Sequence, residues 1–204
     1  MRDPRFAKFV LFVNSAVPLT LLGWDALHDN LGANPVEFAL RTTGMLTLIF
    51  LLLTLTITPM RKLTGWNWLS HFRRMLGLFA FFYGSLHFLT YLGFYQSFNL
   101  RHVIADTIAR PFILFGMTAL LLITPLAVTS TNGMIKRMGA KRWKQLHWLI
   151  YPAAIAAVLH YYLLVKADTR QPLIFAVVLA LLLWQRVARK HPPTSPRMVP
   201  PKTA

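Results

Sequence analysis

The sequence predicts an all-α integral membrane protein, a bundle of six transmembrane helices with both termini in the cytoplasm. Three observations carry this. Of 204 residues, 55% are hydrophobic and 14% charged, against about 25% charged in an ordinary soluble domain. The apolar residues fall in six blocks, each near the roughly 18 residues that cross a bilayer. Basic residues are also divided unequally between alternate loops, as topology-setting charges are.

The blocks cover residues 6–24, 40–58, 75–95, 111–129, 146–165 and 173–189. The first lacks the short apolar core and small-residue cleavage site of a removable signal peptide, so it is expected to remain as a helix. Thr58-Pro59 before Arg61-Lys62 reads as the end of the second helix. Arg110-Pro111 and Gln171-Pro172 read as helix starts, because proline has no N–H to leave unpaired in a first turn. Residues 1–190 are expected to form one transmembrane domain. Residues 191–204, with five prolines, are expected to form a disordered cytoplasmic tail.

Charge sets the orientation. Of 22 Lys and Arg residues, 17 fall in the N-terminal arm, the second and fourth loops and the C-terminal end. Only Arg41, Arg101, Arg110, Lys166 and Arg170 fall on the other side, together with five of the six acids. The positive-inside rule then makes both termini cytoplasmic. The net charge of +16 is the one-sided excess that topology and anionic lipid headgroups explain, so nucleic acid is excluded as a partner. Tryptophans near the inner boundary and tyrosines near the outer one are the usual interfacial anchors. The absence of cysteine rules out disulfides, cysteine-held iron–sulfur clusters and covalent c-type haem attachment. No glycine-rich nucleotide fingerprint occurs, so a flavin or nicotinamide domain is not part of this sequence.

Three of the seven histidines, His87, His147 and His160, fall within spans, where an ionisable side chain marks a functional site by default. Helices three and five run in the same direction. His87 lies 12 residues beyond the inner start of its helix and His160 lies 14 beyond its own. At about 1.5 Å per residue both stand roughly 20 Å from the cytoplasmic edge. Two imidazoles at one depth can bind both axial positions of one haem iron, here a non-covalent haem b in the outer half of the bilayer. Gly84, Ala156 and Ala157 share the histidines' helix faces and are expected either to leave room for a flat macrocycle or to let helices pack closely.

His147 lies 13 residues before His160, an offset of about 220° in a regular helix, with Pro152 between them as a candidate kink. The corresponding position on helix three is Arg74, whose guanidinium cannot ligate iron. His147 is therefore the candidate for a second, incomplete site. With Arg74 and Arg142 it could instead meet an anion such as a haem propionate, a flavin phosphate, a quinone oxygen or a lipid phosphate. A weak internal echo relates Ile57-Thr58-Pro59 and His87 to Ile123-Thr124-Pro125 and His160.

These residues, with Leu31-Gly32-Ala33-Asn34-Pro35-Val36, Arg73-Arg74-Met75-Leu76-Gly77, Thr129-Ser130-Thr131-Asn132, Lys141-Arg142-Trp143-Lys144-Gln145-Leu146-His147 and Gln171-Pro172-Leu173-Ile174, make the chain resemble the MsrQ family. That family comprises haem-binding membrane subunits of periplasmic methionine sulfoxide reductase systems, within the ferric-reductase-like transmembrane superfamily. The resemblance implies a bacterial inner-membrane subunit that takes electrons from the quinone pool, or from a cytosolic flavin reductase through a bound FMN. It implies delivery to a periplasmic molybdoenzyme, MsrP, that repairs oxidised methionine. His87, His147 and His160 fall on the family's histidine positions. Arg74 stands where the larger superfamily carries a histidine for a second haem. Two other readings compete: a stand-alone transmembrane ferric reductase, and a cofactor-free transporter or assembly factor.

Overall fold

A computed structural model describes residues 4–188, and the expected tail from His191 to Ala204 lies outside them. The long helices are α1 (Pro4–Leu27), α2 (Pro35–Thr64), α3 (Arg73–Thr90), α5 (Pro111–Val128), α8 (Ile150–Leu164) and α9 (Arg170–Ala188). Shorter ones are α4 (Leu100–Ala109), α6 (Asn132–Met138) and α7 (Ala140–Leu146). A π-helical turn, Tyr91–Tyr95, continues α3, and 3-10 turns occupy Asn67–His71 and His147–Leu149. Among the described residues there is no strand.

Five helical stretches, beginning at Arg5, Pro35, Asn67, Pro111 and Ala140, are long and apolar enough to cross a membrane. The helix expected as a sixth span forms as α9 and packs on α2 and α8. Phe6, Leu121 and Trp184 are each about two-thirds exposed or more. Lipid meets such surfaces at no cost, whereas water would not.

The start of α2 follows from its sequence. Asn34 Oδ1 accepts from the Glu37 backbone N–H at 3.2 Å, and Asn34 Nδ2 donates to Glu37 Oε2 at 2.9 Å. Pro35 occupies the first turn, where no N–H is needed. The expected stop at Thr58-Pro59 is corrected. α2 continues through Pro59 to Thr64, and the stop is Gly65, at φ +73°, whose N–H reaches the Arg61 carbonyl at 3.0 Å. Proline costs one backbone bond, but the helix beyond it is held at its end by a glycine cap.

α2 pairs with α3, α5 pairs with α8, and α3 meets α5 to join the pairs. Tyr83, Leu51, Ala153 and Ala154 are almost fully buried in the shared core. α1 lies at the edge, tied by the Tyr83 hydroxyl, which donates to the Ser15 carbonyl at 2.7 Å, and by the Phe12 ring on Phe79. Tyr83→Phe removes that hydrogen bond and is expected to cost about 1 kcal/mol. Tyr83→Ala also leaves a void and is expected to cost about 3 kcal/mol or more. Unfolding of the purified protein in mixed micelles measures both, and equal losses would contradict the assigned tie.

Candidate functional site

The site is built where the two helix pairs meet. His87 projects from α3 and His160 from α8, with ring centres 6.0 Å apart and ring planes at 84°. The depth match read from the sequence therefore corresponds to a contact in space. Neither ring relies on its own helix for a hydrogen bond. His87 Nδ1 lies 2.9 Å from the Leu40 carbonyl on α2, and His160 Nδ1 lies 2.6 Å from the Phe112 carbonyl on α5. A carbonyl oxygen only accepts, so each Nδ1 carries the proton and donates. Each Nε2 then keeps its lone pair, the state in which imidazole binds a metal.

The approach of each ring to a foreign helix depends on a glycine. Gly44 stands four residues after Leu40, and Gly116 four after Phe112, one turn on and over the accepting carbonyl. A Cβ built on Gly44 would lie 2.9 Å from His87 Nδ1, and one on Gly116 would lie 2.7 Å from His160 Nδ1. The two halves repeat each other. His87 follows its acceptor by 47 residues and His160 follows its own by 48.

Among the described residues no three His, Cys, Asp or Glu side chains converge as a metal cage. Two imidazoles suffice only where other ligands come with the metal, as in a porphyrin. Two imidazoles that shared one metal ion, at metal–nitrogen bonds of about 2.0–2.1 Å, would have ring centres no more than roughly 6.4 Å apart. The observed 6.0 Å lies within that limit.

Gly84 and Ala156, expected to leave room for a macrocycle or to pack helices, do the second. A Cβ on Gly84 would meet the Thr47 methyl of α2 at 3.3 Å, and Ala156 is buried. The glycines that admit the imidazoles, Gly44 and Gly116, stand on neighbouring helices, away from the faces to which the histidines' own spacing points. An apolar residue followed four later by glycine, on the helix before each histidine helix, was the available signal.

The inner group is looser. His147 sits in the 3-10 turn, stacked on Trp143 with ring centres 3.8 Å apart, and its Nδ1 donates to the Trp143 carbonyl at 3.0 Å. The 3-10 turn precedes Pro152, which has no N–H to offer the Trp148 carbonyl four residues earlier. Arg74 donates to Asn132 Oδ1 at 2.7 Å. Arg142 is exposed. His71 is exposed and bonded to Trp68, and His28 to Trp24. His102 lies on α4, and His191 lies outside the described residues.

Gly44→Ala and Gly116→Ala are expected to push the imidazoles out of place and lower bound haem per protein several-fold. Gly133→Ala, where a Cβ would meet nothing within 4 Å, is expected to leave it unchanged. The Soret absorbance per mole of protein reads the difference, and full occupancy in both the Gly44 and Gly116 variants would overturn the role given to these glycines.

Residues 43–158, which contain Gly44, His87, Phe112, Gly116 and His147 and stop short of Leu40 on one side and His160 on the other, match the model of the ferric reductase like transmembrane component. The chain is 50% identical over 182 residues to the protein-methionine-sulfoxide reductase heme-binding subunit MsrQ of Herminiimonas arsenicoxydans, covering 88% of this chain and 84% of that protein. It is 51% identical to the MsrQ subunit of Rhodospirillum rubrum over 90% of this chain and 88% of that protein. The corresponding Xanthomonas campestris subunit is 42% identical over 94% and 95%. Likeness at this level over nearly the whole length places the chain in the MsrQ family, within the ferric-reductase-like transmembrane proteins.

Proposed function

We propose that this chain is the electron-transfer membrane subunit of a methionine sulfoxide reductase system, spanning a bacterial inner membrane six times with both termini in the cytoplasm. Its electrons come from the quinone pool or from a cytosolic flavin reductase through FMN. They go to a periplasmic molybdoenzyme of the MsrP type, which repairs oxidised proteins. The observation that carries this reading is the His87–His160 pair, 6.0 Å apart, with each Nδ1 proton held by a backbone carbonyl of another helix.

His87 and His160 would hold one haem b. Bound there, it would supply one-electron redox chemistry inside the bilayer. The chain contributes the rest. Leu40 and Phe112 fix the tautomer and leave each Nε2 lone pair available, and a carbonyl partner also makes the imidazole a better electron donor to a metal. The packed helices leave the two imidazoles only partly exposed. The basic loops at the inner end, with Lys136, Arg137, Lys141, Arg142 and Lys144, suit an anionic donor such as a flavin phosphate. The pair itself stands toward the outer face, on the side of the periplasmic acceptor.

His87→Ala and His160→Ala are each expected to abolish most of the reduced b-type absorbance of the purified protein, and His147→Ala is expected to retain at least half of it. A spectrum that survives both outer substitutions would remove the ligand assignment. Absence of a Soret band in the wild type would leave the cofactor-free readings standing.

A further inference from the structure

A cleft of about 440 Å³ lies on the outer side, lined chiefly by Tyr91, Tyr95, Gln96, His102, Asp106 and Arg110. It is built on the elements that carry the histidine pair. Tyr91 follows His87 by four residues, about 6 Å along the helix. Arg110 precedes by two residues the Phe112 whose carbonyl holds His160. The wall from α3 is a π-helical turn, a form concentrated at functional sites. The loop after it holds Ser97 and Phe98 at φ +48° and +58°, a strained conformation for residues other than glycine.

The chemistry of the lining is specific. Tyr91 and Tyr95 stack at 6.4 Å with planes 20° apart, and Tyr95 is half-exposed. The Asp106 carboxylate is held by the Tyr91 hydroxyl at 2.7 Å, Gln96 Nε2 at 2.9 Å and Arg110 Nε at 2.9 Å. Those three bonds leave one of its roughly four acceptor positions open. The Tyr95 hydroxyl and the His102 ring make no hydrogen bond among the described residues. Phe94, Phe98 and Ile108, close in sequence to the lining residues, are each more than two-thirds exposed, an apolar surface that lipid suits better than water. A ligand here is flat and aromatic, carries hydroxyl donors and arrives through the membrane.

We propose that this outer cleft binds the head group of a membrane hydroquinone and is the place of its oxidation. The hydroquinone ring lies against the tyrosines, with one hydroxyl on Asp106 and the other within reach of His102. Oxidation to quinone breaks two O–H bonds and releases two protons and two electrons. The protons leave by Asp106 and His102 to the outer water. The electrons would leave one at a time, each taken by a ferric haem b held at His87 and His160 and passed to the periplasmic acceptor before the next. The assignment rests on that haem reading and moves quinol oxidation from the inner to the outer side.

The full chain, loaded with haem in lipid nanodiscs, is photolabelled with a short-tailed azidoquinone, with and without excess menadione, and the labelled peptides are mapped. Label competed by menadione is expected within residues 91–110. Competed label confined to the inner ends around Arg73 and His147, or no competed label, would overturn the proposal. In parallel, menadiol reduces the haem in stopped flow. Tyr91→Phe and Asp106→Asn are each expected to raise the half-saturating menadiol concentration at least tenfold while the dithionite-reduced spectrum stays unchanged. An unchanged menadiol response in both would also overturn it. If the wild type shows no b-type spectrum, the haem reading fails, and the labelling, which needs no haem, decides the cleft by itself.

Discussion

An imidazole inside a bilayer must find a partner for its ring N–H, because hydrocarbon offers none. Here that partner is a backbone carbonyl already engaged in its own helix, Leu40 for His87 and Phe112 for His160. The second lone pair of the carbonyl is what makes this arrangement available. It demands that a side chain from one helix reach the backbone of another, which only a missing Cβ permits. Gly44 and Gly116 meet that demand. Tautomer, ring direction and inter-ring distance all follow from the two contacts.

The same constraint explains why the bundle is organised as two pairs. α2 with α3 and α5 with α8 each supply one acceptor carbonyl, one glycine and one histidine, and the contact between α3 and α5 brings the two sets together. The spacings of 47 and 48 residues show the halves to be nearly equivalent. The Thr-Pro echo does not mark this register, since Pro59 lies 15 residues after Gly44 and Pro125 only nine after Gly116. The equivalence concerns the ends of the helices where the imidazoles sit. Toward the opposite ends the halves diverge: His147 bonds back to its own helix and Arg74 turns to Asn132.

The outer end shows a second consequence of low dielectric. Asp106 is only 15% exposed at its side chain and is held by Tyr91, Gln96 and Arg110. This network fastens α4 to the end of α3 and stands one helical turn outside His87. In sequence these four residues are scattered over two loops and two helices, each unremarkable by itself. Only the turn through Ser97 and Phe98, and the fold-back of α4, assemble them.

Much of the fold was legible because a bilayer reduces it to length and polarity. Long apolar blocks, proline at helix starts and one-sided basic loops follow from the cost of exposing backbone or charge to lipid. Five spanning helices appear where such blocks were read. The end of α2 was misplaced because a glycine cap, not Pro59, stops it. The common depth of His87 and His160 was also in the sequence, since depth in a helix is a count of residues. What counting could not supply was direction across the helix interfaces. Which carbonyl accepts each Nδ1 proton, which glycine admits each ring, and that Gly84 receives Thr47 are properties of two helices at once. By itself the sequence determined the membrane class and the level of the paired histidines. The tertiary structure decided that their rings stand 6.0 Å apart with both Nε2 lone pairs free, because only packed helices can bring backbone from one to a side chain from another.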